Sequence, residues 1–221
     1  MRTKSGIGLA FLVLITVSTH TARAGNLILN GSFESPVVTD PSGAIDLLAG
    51  DPSLAPWVIF SGSVDVVNNS RWPAYTGTQS LDLNGVSPGM IGQDFVTTPG
   101  VEYRLDFAYA NNPENPSLAG ATAFVVVTGS GITPLLFQEV GHSGSTVPNM
   151  NYASFEGFFT ANSAATTLIF ESATGADNQV YGVVLDNVSV NPVPELDPGS
   201  MAGALTLLVG GMLRLSGRRR R

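Results

Sequence analysis

Short runs of four to ten residues with the composition of β-strands dominate the middle of the chain, and one of them alternates between apolar and polar residues. The clearest run covers residues 102–110, where Tyr103, Leu105, Phe107 and Tyr109 alternate with charged or small residues. Because side chains of a β-strand point to opposite faces in turn, this pattern predicts a half-buried strand. One face of that strand should pack on a core and the other should meet water.

Ten further runs of this kind are separated by Gly, Pro, Asn and Asp, and no long helical period interrupts them. Without helical crossovers, parallel strands cannot be joined, so the pattern predicts an all-β fold: a jelly-roll-like antiparallel β-sandwich. Three long connections, at residues 36–56, 111–120 and 141–151, are predicted to carry function. The ten runs are residues 26–29, 57–60, 64–67, 79–83, 90–96, 121–128, 135–140, 153–160, 166–172 and 182–190.

The first 24 residues have the pattern of a signal peptide. Arg2 and Lys4 precede an apolar run over residues 7–17, and Ala22 and Ala24 fit the small-x-small rule for cleavage after residue 24. The alternative is an uncleaved membrane anchor, but the run is shorter than the roughly 20 residues that a spanning helix needs. The sequence therefore predicts export from the cytoplasm.

The other end has an uncharged apolar stretch over residues 201–213, followed by Arg214 and by Arg218, Arg219, Arg220 and Arg221. The stretch is short for a spanning helix, but terminal arginines favour a cytoplasmic end by the positive-inside rule. The alternative is a helix buried in the domain. We expect a β-domain over residues 25–191, a proline-rich linker over residues 192–200, and a short membrane or sorting helix with its arginine cluster over residues 201–221.

Charge and cysteine content exclude several classes of function. Between residues 25 and 195 only Arg71 and Arg104 are basic, against sixteen acidic residues, which gives a net charge of −14. Such a surface repels phosphate backbones, which excludes nucleic acid as a partner, and attracts cations such as calcium; the alternative is that the acidity only keeps the protein soluble. The absence of cysteine excludes disulfides, thiolate metal sites and cysteine nucleophiles.

The tail resembles a PEP-CTERM sorting signal. Pro194 and Glu195 stand in the order of its Pro-Glu motif, ahead of the apolar stretch and the arginines, with Leu196 where the motif has a second proline. The resemblance implies recognition by an exosortase, a membrane processing enzyme of bacteria that make extracellular polysaccharide. It also implies contact of the tail with the inner membrane.

The domain resembles the choice-of-anchor C type of exported β-sandwich, similar to galactose-binding-like jelly rolls and carbohydrate-binding modules. The resemblance rests on the order of several pieces: NLILNGSFE at 26–34, Trp57, GTQSLDLNG at 77–85, QDF at 93–95 with PG at 99–100 and YRL at 103–105, and LDNVSV at 185–190. It implies this fold, a location at the cell envelope, cell surface or extracellular matrix, and a role in binding bacterial polysaccharide.

In similar jelly rolls the opening and closing segments meet and enclose a structural calcium ion. Here this implies Glu34 and Asp186 as ligands, with the carbonyl of Ser32 and with Asp82. Along residues 183–190 the alternating apolar residues stand at odd positions (Val183, Leu185) and then at even positions (Val188, Val190). The alternation slips at Asp186-Asn187, which predicts a β-bulge there. The alternative is that these polar residues only form hydrogen bonds with the backbone.

A sugar site needs exposed aromatic rings and neighbouring hydrogen-bonding side chains. The turn-like stretch 68–77 contains Trp72 and Tyr75, with Arg71 and Asn69 nearby, and we predict ligand contact there. For Trp72 the alternative is loop packing, whereas Trp57 begins a strand and is expected in the core.

No catalytic motif stands out, and His142 is the only histidine after residue 24. The sequence predicts a non-catalytic polysaccharide-binding protein, with a structural envelope or biofilm component as the alternative and a hydrolase as a third class.

Overall fold

The computed structural model describes residues 25–114, 120–174 and 180–194. These residues contain a short 3₁₀ helix, Pro52–Leu54, and eleven strands: β1 (Ala44–Leu48), β2 (Val58–Ser61), β3 (Ser63–Asn68), β4 (Gln79–Asp82), β5 (Met90–Val96), β6 (Glu102–Asn111), β7 (Ala121–Thr128), β8 (Leu136–His142), β9 (Ala153–Thr160), β10 (Ala165–Ser172) and β11 (Val183–Pro192).

The strands form two antiparallel sheets that face each other. One sheet has six strands in the order β1-β3-β4-β11-β6-β9, and the other has five in the order β2-β5-β10-β7-β8. The predicted all-β sandwich is confirmed. Some neighbours are consecutive in sequence, such as β3-β4 and β7-β8, whereas others are distant, as in β11 between β4 and β6, because the chain crosses between the two layers.

The main core lies between the sheets and is built from the inward-facing half of each alternating strand. Trp57 is at its centre, 1% exposed, with its ring 5.6 Å from that of Phe33 and 6.1 Å from that of Phe170. The prediction that Trp57 belongs to the core is confirmed.

Two sequence predictions about strands are wrong. Residues 26–29 form no strand and pass through bends into a turn, because the Asn26 side chain accepts hydrogen bonds from the amides of Ile28 and Val190 in place of a regular ladder. The region 36–56, predicted as a loop, contains β1, which pairs with β3 from Ala44 opposite Val67 to Leu48 opposite Ser63. The partner strand, and not local alternation, makes this segment extended.

The predicted bulge is confirmed. The register of β11 against β6 shifts between Asp186 and Ser189, and Asn187 adopts a positive φ of 53°. A bulge re-aims the side chains beside it. Here it turns Asn187 toward the outer face of the six-stranded sheet.

The sequence predicts that the outer face of β6 meets water. In the structure, part of this face is covered. A second apolar cluster, which we call the outer cluster, covers the end of β6 and consists of Val67, Trp72, Ala110, Met150 and Val184. Two loops pack over this part of the sheet and contribute residues to the outer cluster. These are residues 69–78, between β3 and β4, and residues 143–152, between β8 and β9.

The predicted signal peptide (residues 1–24), sorting helix and terminal arginines, as well as Glu195, lie outside the described residues. Within the described part of the chain, no helix reaches the length and hydrophobicity that a membrane span requires.

Candidate functional site

The 69–78 loop is anchored on the outer face of the six-stranded sheet by Trp72. This side chain is 1% exposed, packs in the outer cluster, and donates a hydrogen bond from Nε1 to Ser80 Oγ at 3.1 Å. Neither face of its ring is presented to solvent. The burial therefore favours the packing alternative over the predicted sugar contact for Trp72.

The far end of the same loop is held by two carboxylates. The amide of Thr76 donates to Asp186 Oδ2 at 2.8 Å, and the amide of Thr78 donates to Glu34 Oε1 at 2.7 Å. Gly77 lies between them with φ of 65°, and a Cβ there would lie 2.2 Å from Glu34 Oε1. Only glycine fits this close approach without displacing the carboxylate.

These contacts bring three of the four predicted calcium ligands to one segment, since Ser32 Oγ also lies 3.2 Å from Thr76 Oγ1. Asp82 has other partners. Its buried carboxylate accepts from the amides of Asn84 and Gly182 and from Asn112 Nδ2, at 2.9, 3.1 and 2.6 Å.

The electrostatics of the two carboxylates differ. Burial raises the pKa of Asp186 to about 6, and hydrogen bonds to it, including those from the amides of Thr76 and Asn187, offset part of this effect. Burial acts in the same direction on Glu34, but hydrogen bonds from Thr78 and Gln79 together outweigh it and lower the pKa. Both groups hold the loop by accepting hydrogen bonds.

A metal centre built from many acidic side chains is not seen in the described residues, which contain no group of three or more His, Cys, Asp or Glu placed to hold an ion. Calcium also accepts hydroxyl and carbonyl oxygen. A calcium ion bound by Glu34, Asp186, the carbonyl of Ser32 and Asp82 stays a prediction.

Anchored at both ends, the loop presents Tyr75 on the surface. Its side chain is 47% exposed and meets the ring of Tyr152 edge-on, with the centroids 5.6 Å apart. The hydroxyl of Tyr152 donates to the carbonyl of Pro73 at 3.2 Å, which ties the 143–152 loop to the 69–78 loop. Tyr75 is thus an exposed ring on a braced support.

Two recesses flank Tyr75, and its side chain lines both. The Asp106 recess, of about 270 Å³, lies over β6, β9 and the bulge; it is lined by Asp106, Ala108, Ser154, Glu156 and Asn187. The Pro148 recess, of about 300 Å³, lies between the two loops; it is lined by Pro73, Ala74, Pro148, Asn149, Met150, Asn151 and Tyr152.

Charges occupy only one of the two recesses. Asp106 and Glu156 are directly opposite each other on β6 and β9, and Arg104 pairs with both, at 2.8 Å and 3.7 Å. The residues that line the Pro148 recess are apolar residues, asparagines and two tyrosines, and none of them is charged. The two sides of Tyr75 therefore offer different chemistry.

Comparison with known proteins places this arrangement in a family. A model described as "Protein of unknown function (DUF642)" matches residues 26–191. The chain belongs to the DUF642 family.

The DUF642 domain has the fold of solved carbohydrate-binding modules. TmCBM61, solved in complex with β-1,4-galactotriose, is 16% identical and has a TM-score of 0.50, covering 77% of this chain and 100% of that one. An arabinose-bound α-L-arabinofuranosidase, MgGH51, is 13% identical with a TM-score of 0.50, covering 77% of this chain and 27% of that one. At these identities the likeness shows the fold alone.

A curated protein also matches in sequence. Halomucin of Haloquadratum walsbyi is 29% identical over 216 residues, which are 90% of this chain. The DUF642 chain spans only 2% of the length of halomucin.

Of the four residues predicted to contact a ligand, the structure places Tyr75 alone at the recesses. Arg71 Nε donates to Glu114 Oε1 at 2.9 Å, and its guanidinium lies 5.4 Å from the ring centroid of Trp72. Asn69 Oδ1 accepts from the amide of Ala74 at 2.7 Å. Arg71 and Asn69 thus contribute to the shape of the loop.

Sequence reasoning missed the other lining residues of this DUF642 domain, chiefly Tyr152, Asp106, Glu156 and Asn187. Alternation along β6 and β9 places Asp106 and Glu156 outward, so a signal was present. What the alternation could not show is that β6 and β9 are neighbours and that the 69–78 loop folds over them.

Proposed function

We propose that this DUF642 domain is a non-catalytic polysaccharide-binding module whose ligand lies across Tyr75. The observation that carries the proposal is an exposed tyrosine, braced by Tyr152, between two recesses lined with polar side chains. Aromatic rings stack on the apolar faces of sugars, and neighbouring carboxylates and amides bond their hydroxyls. An open surface of this kind suits a chain that extends beyond one sugar.

The shared fold supports the proposal. TmCBM61 is a protein of this sandwich architecture that was solved with an oligosaccharide bound. Fold alone does not decide function, and the Tyr75 surface is the feature that supports polysaccharide binding.

The ion pairs of the acidic side chains beside Tyr75 support binding without catalysis. Asp106 and Glu156, which line the Asp106 recess with Tyr75, both pair with Arg104. A glycosidase needs one carboxyl group that carries a proton beside one that is ionised. An arginine shared by two carboxyl groups favours the ionised form of both. It does not leave one of them protonated.

The proposal includes a route by which the protein reaches the cell surface. We infer export through a signal peptide at residues 1–24, and sorting of a choice-of-anchor-like domain by a PEP-CTERM tail that an exosortase recognises at the inner membrane. The module would then face the cell surface or matrix. A mature protein that begins at Gly25 in the envelope fraction, identified by mass spectrometry, supports this route; unprocessed chain in the cytosol refutes it.

The test of binding is a glycan array with the protein from residue 25 onward, repeated for Tyr75→Ala. We expect loss of signal for Tyr75→Ala and none for Phe137→Ala, which removes a ring that is 59% exposed on the five-stranded sheet. Equal binding by wild type and Tyr75→Ala refutes the site. Silence of the wild type on all glycans favours a structural role.

A further inference from the structure

We infer that the Tyr75 surface selects polysaccharides that carry free amino groups over chains of uronic acids. This inference rests on the proposed function and names its substrate class. It follows from where the few positive charges lie and from what faces the sugar on each side of Tyr75.

Among the described residues, neither arginine is free to recognise a carboxylate. Arg71 and Arg104 are the only basic residues between residues 25 and 195. Arg71 is held by Glu114 over the ring of Trp72, and Arg104 is held by Asp106 and Glu156. Recognition of a uronate needs a donor fork or an ammonium that is free to bind.

The Asp106 recess has an excess of negative charge. One guanidinium faces two carboxylates, so a net charge of −1 remains. The longer pair, from Arg104 Nη1 to Glu156 Oε2, spans 3.7 Å, and the side chains are 47% and 56% exposed. An exposed pair of this kind is weak, so Glu156 can accept a new cationic partner at little cost.

The Pro148 recess complements this arrangement. Its uncharged wall of prolines, Met150, Asn149 and Asn151 suits a neutral or N-acetylated sugar. A chain of amino sugars in which some are acetylated and some are free would place the two kinds on opposite sides of Tyr75. The net charge of the domain adds long-range attraction for such a chain and repulsion for uronates.

The experiment is calorimetric titration of the mature protein with three oligosaccharides of equal length: chitosan, its fully N-acetylated counterpart and oligogalacturonate. We expect the chitosan oligosaccharide to bind about two- to fivefold more tightly than the N-acetylated one, the effect of one exposed ion pair. Oligogalacturonate should show no heat of binding.

Variants separate a specific site from general attraction to an acidic protein. Glu156→Gln should reduce the preference for the free amine to near unity and leave N-acetylated binding unchanged. Glu139→Gln, which removes an exposed charge on the five-stranded sheet, should change nothing. Tyr75→Ala should lose both ligands, and chitosan binding by Tyr75→Ala at wild-type strength would show nonspecific attraction and overturn the inference.

The failure of each proposal gives a different result. If the three oligosaccharides bind with equal affinity, or if Glu156→Gln keeps the preference, charge selection is wrong and polysaccharide binding stands. If none of them binds and the glycan array is silent, the proposed function itself is wrong.

Discussion

Replacement of Trp72 tests whether this residue is a structural anchor or a ligand contact. Its ring is 1% exposed and packs against Val67, Ala110, Met150 and Val184, while Nε1 donates to Ser80 Oγ. Trp72→Ala removes the centre of the outer cluster and leaves a buried hydroxyl without its donor.

The expected loss is large. Truncation of a buried tryptophan to alanine costs about 3–5 kcal/mol in the free energy of unfolding. For a domain of this size, 1 kcal/mol corresponds to about 2–4 °C, so the melting temperature should fall by about 6–20 °C. Trp72→Phe keeps an apolar ring and loses the bond to Ser80, so it should cost about 1–3 kcal/mol.

The assay is thermal unfolding followed by circular dichroism, with sugar binding measured in parallel well below the transition. Tyr75→Ala is the matched control, since its ring is 47% exposed and should change the melting temperature little. A Trp72→Ala variant that melts within about 2 °C of wild type, yet loses sugar binding, would refute the anchor and restore the ligand contact.

Three further predictions concern the loop end and the acidic face. Gly77→Ala should destabilise the domain by about 1–3 kcal/mol in urea unfolding, because φ is 65° and the new Cβ meets Glu34; an unchanged midpoint contradicts this. Burial and the like charge of Asp46, which pairs with Asp65 across β1 and β3, raise the pKa of Asp65 to about 6, above its value in the unfolded chain. The ionised form is therefore disfavoured on folding, and stability should fall by about 2 kcal/mol between pH 4 and 7, discounted for partial exposure, with a flatter profile in Asp65→Asn. Calcium at 100 times its dissociation constant should raise the free energy of unfolding by about 2.7 kcal/mol, and Glu34→Gln or Asp186→Asn should abolish the rise. If calcium does not change the stability of the wild type, the predicted calcium site is wrong.

Much of the fold could be predicted because alternation is a local property of the chain. Residues 102–110 alternate, residues 121–128 and 153–160 are short runs of β type, and each forms a strand at or near those bounds. The change of parity at Asp186-Asn187 predicted the bulge for the same reason. β1 was missed because Ala44–Leu48 has one buried side chain and becomes a strand by pairing with β3.

The sequence by itself determined that this is an acidic, cysteine-free β-sandwich with Tyr75 in a loop between two strands. Only the tertiary structure decided that Trp72 points inward and Tyr75 outward, since both are aromatic residues of one turn. Pairing of β6 with β9, and the fold of the 69–78 loop over them, decided that Asp106 and Glu156 lie beside Tyr75. Burial and strand neighbours are properties of the whole chain, and no local pattern of residues specifies them.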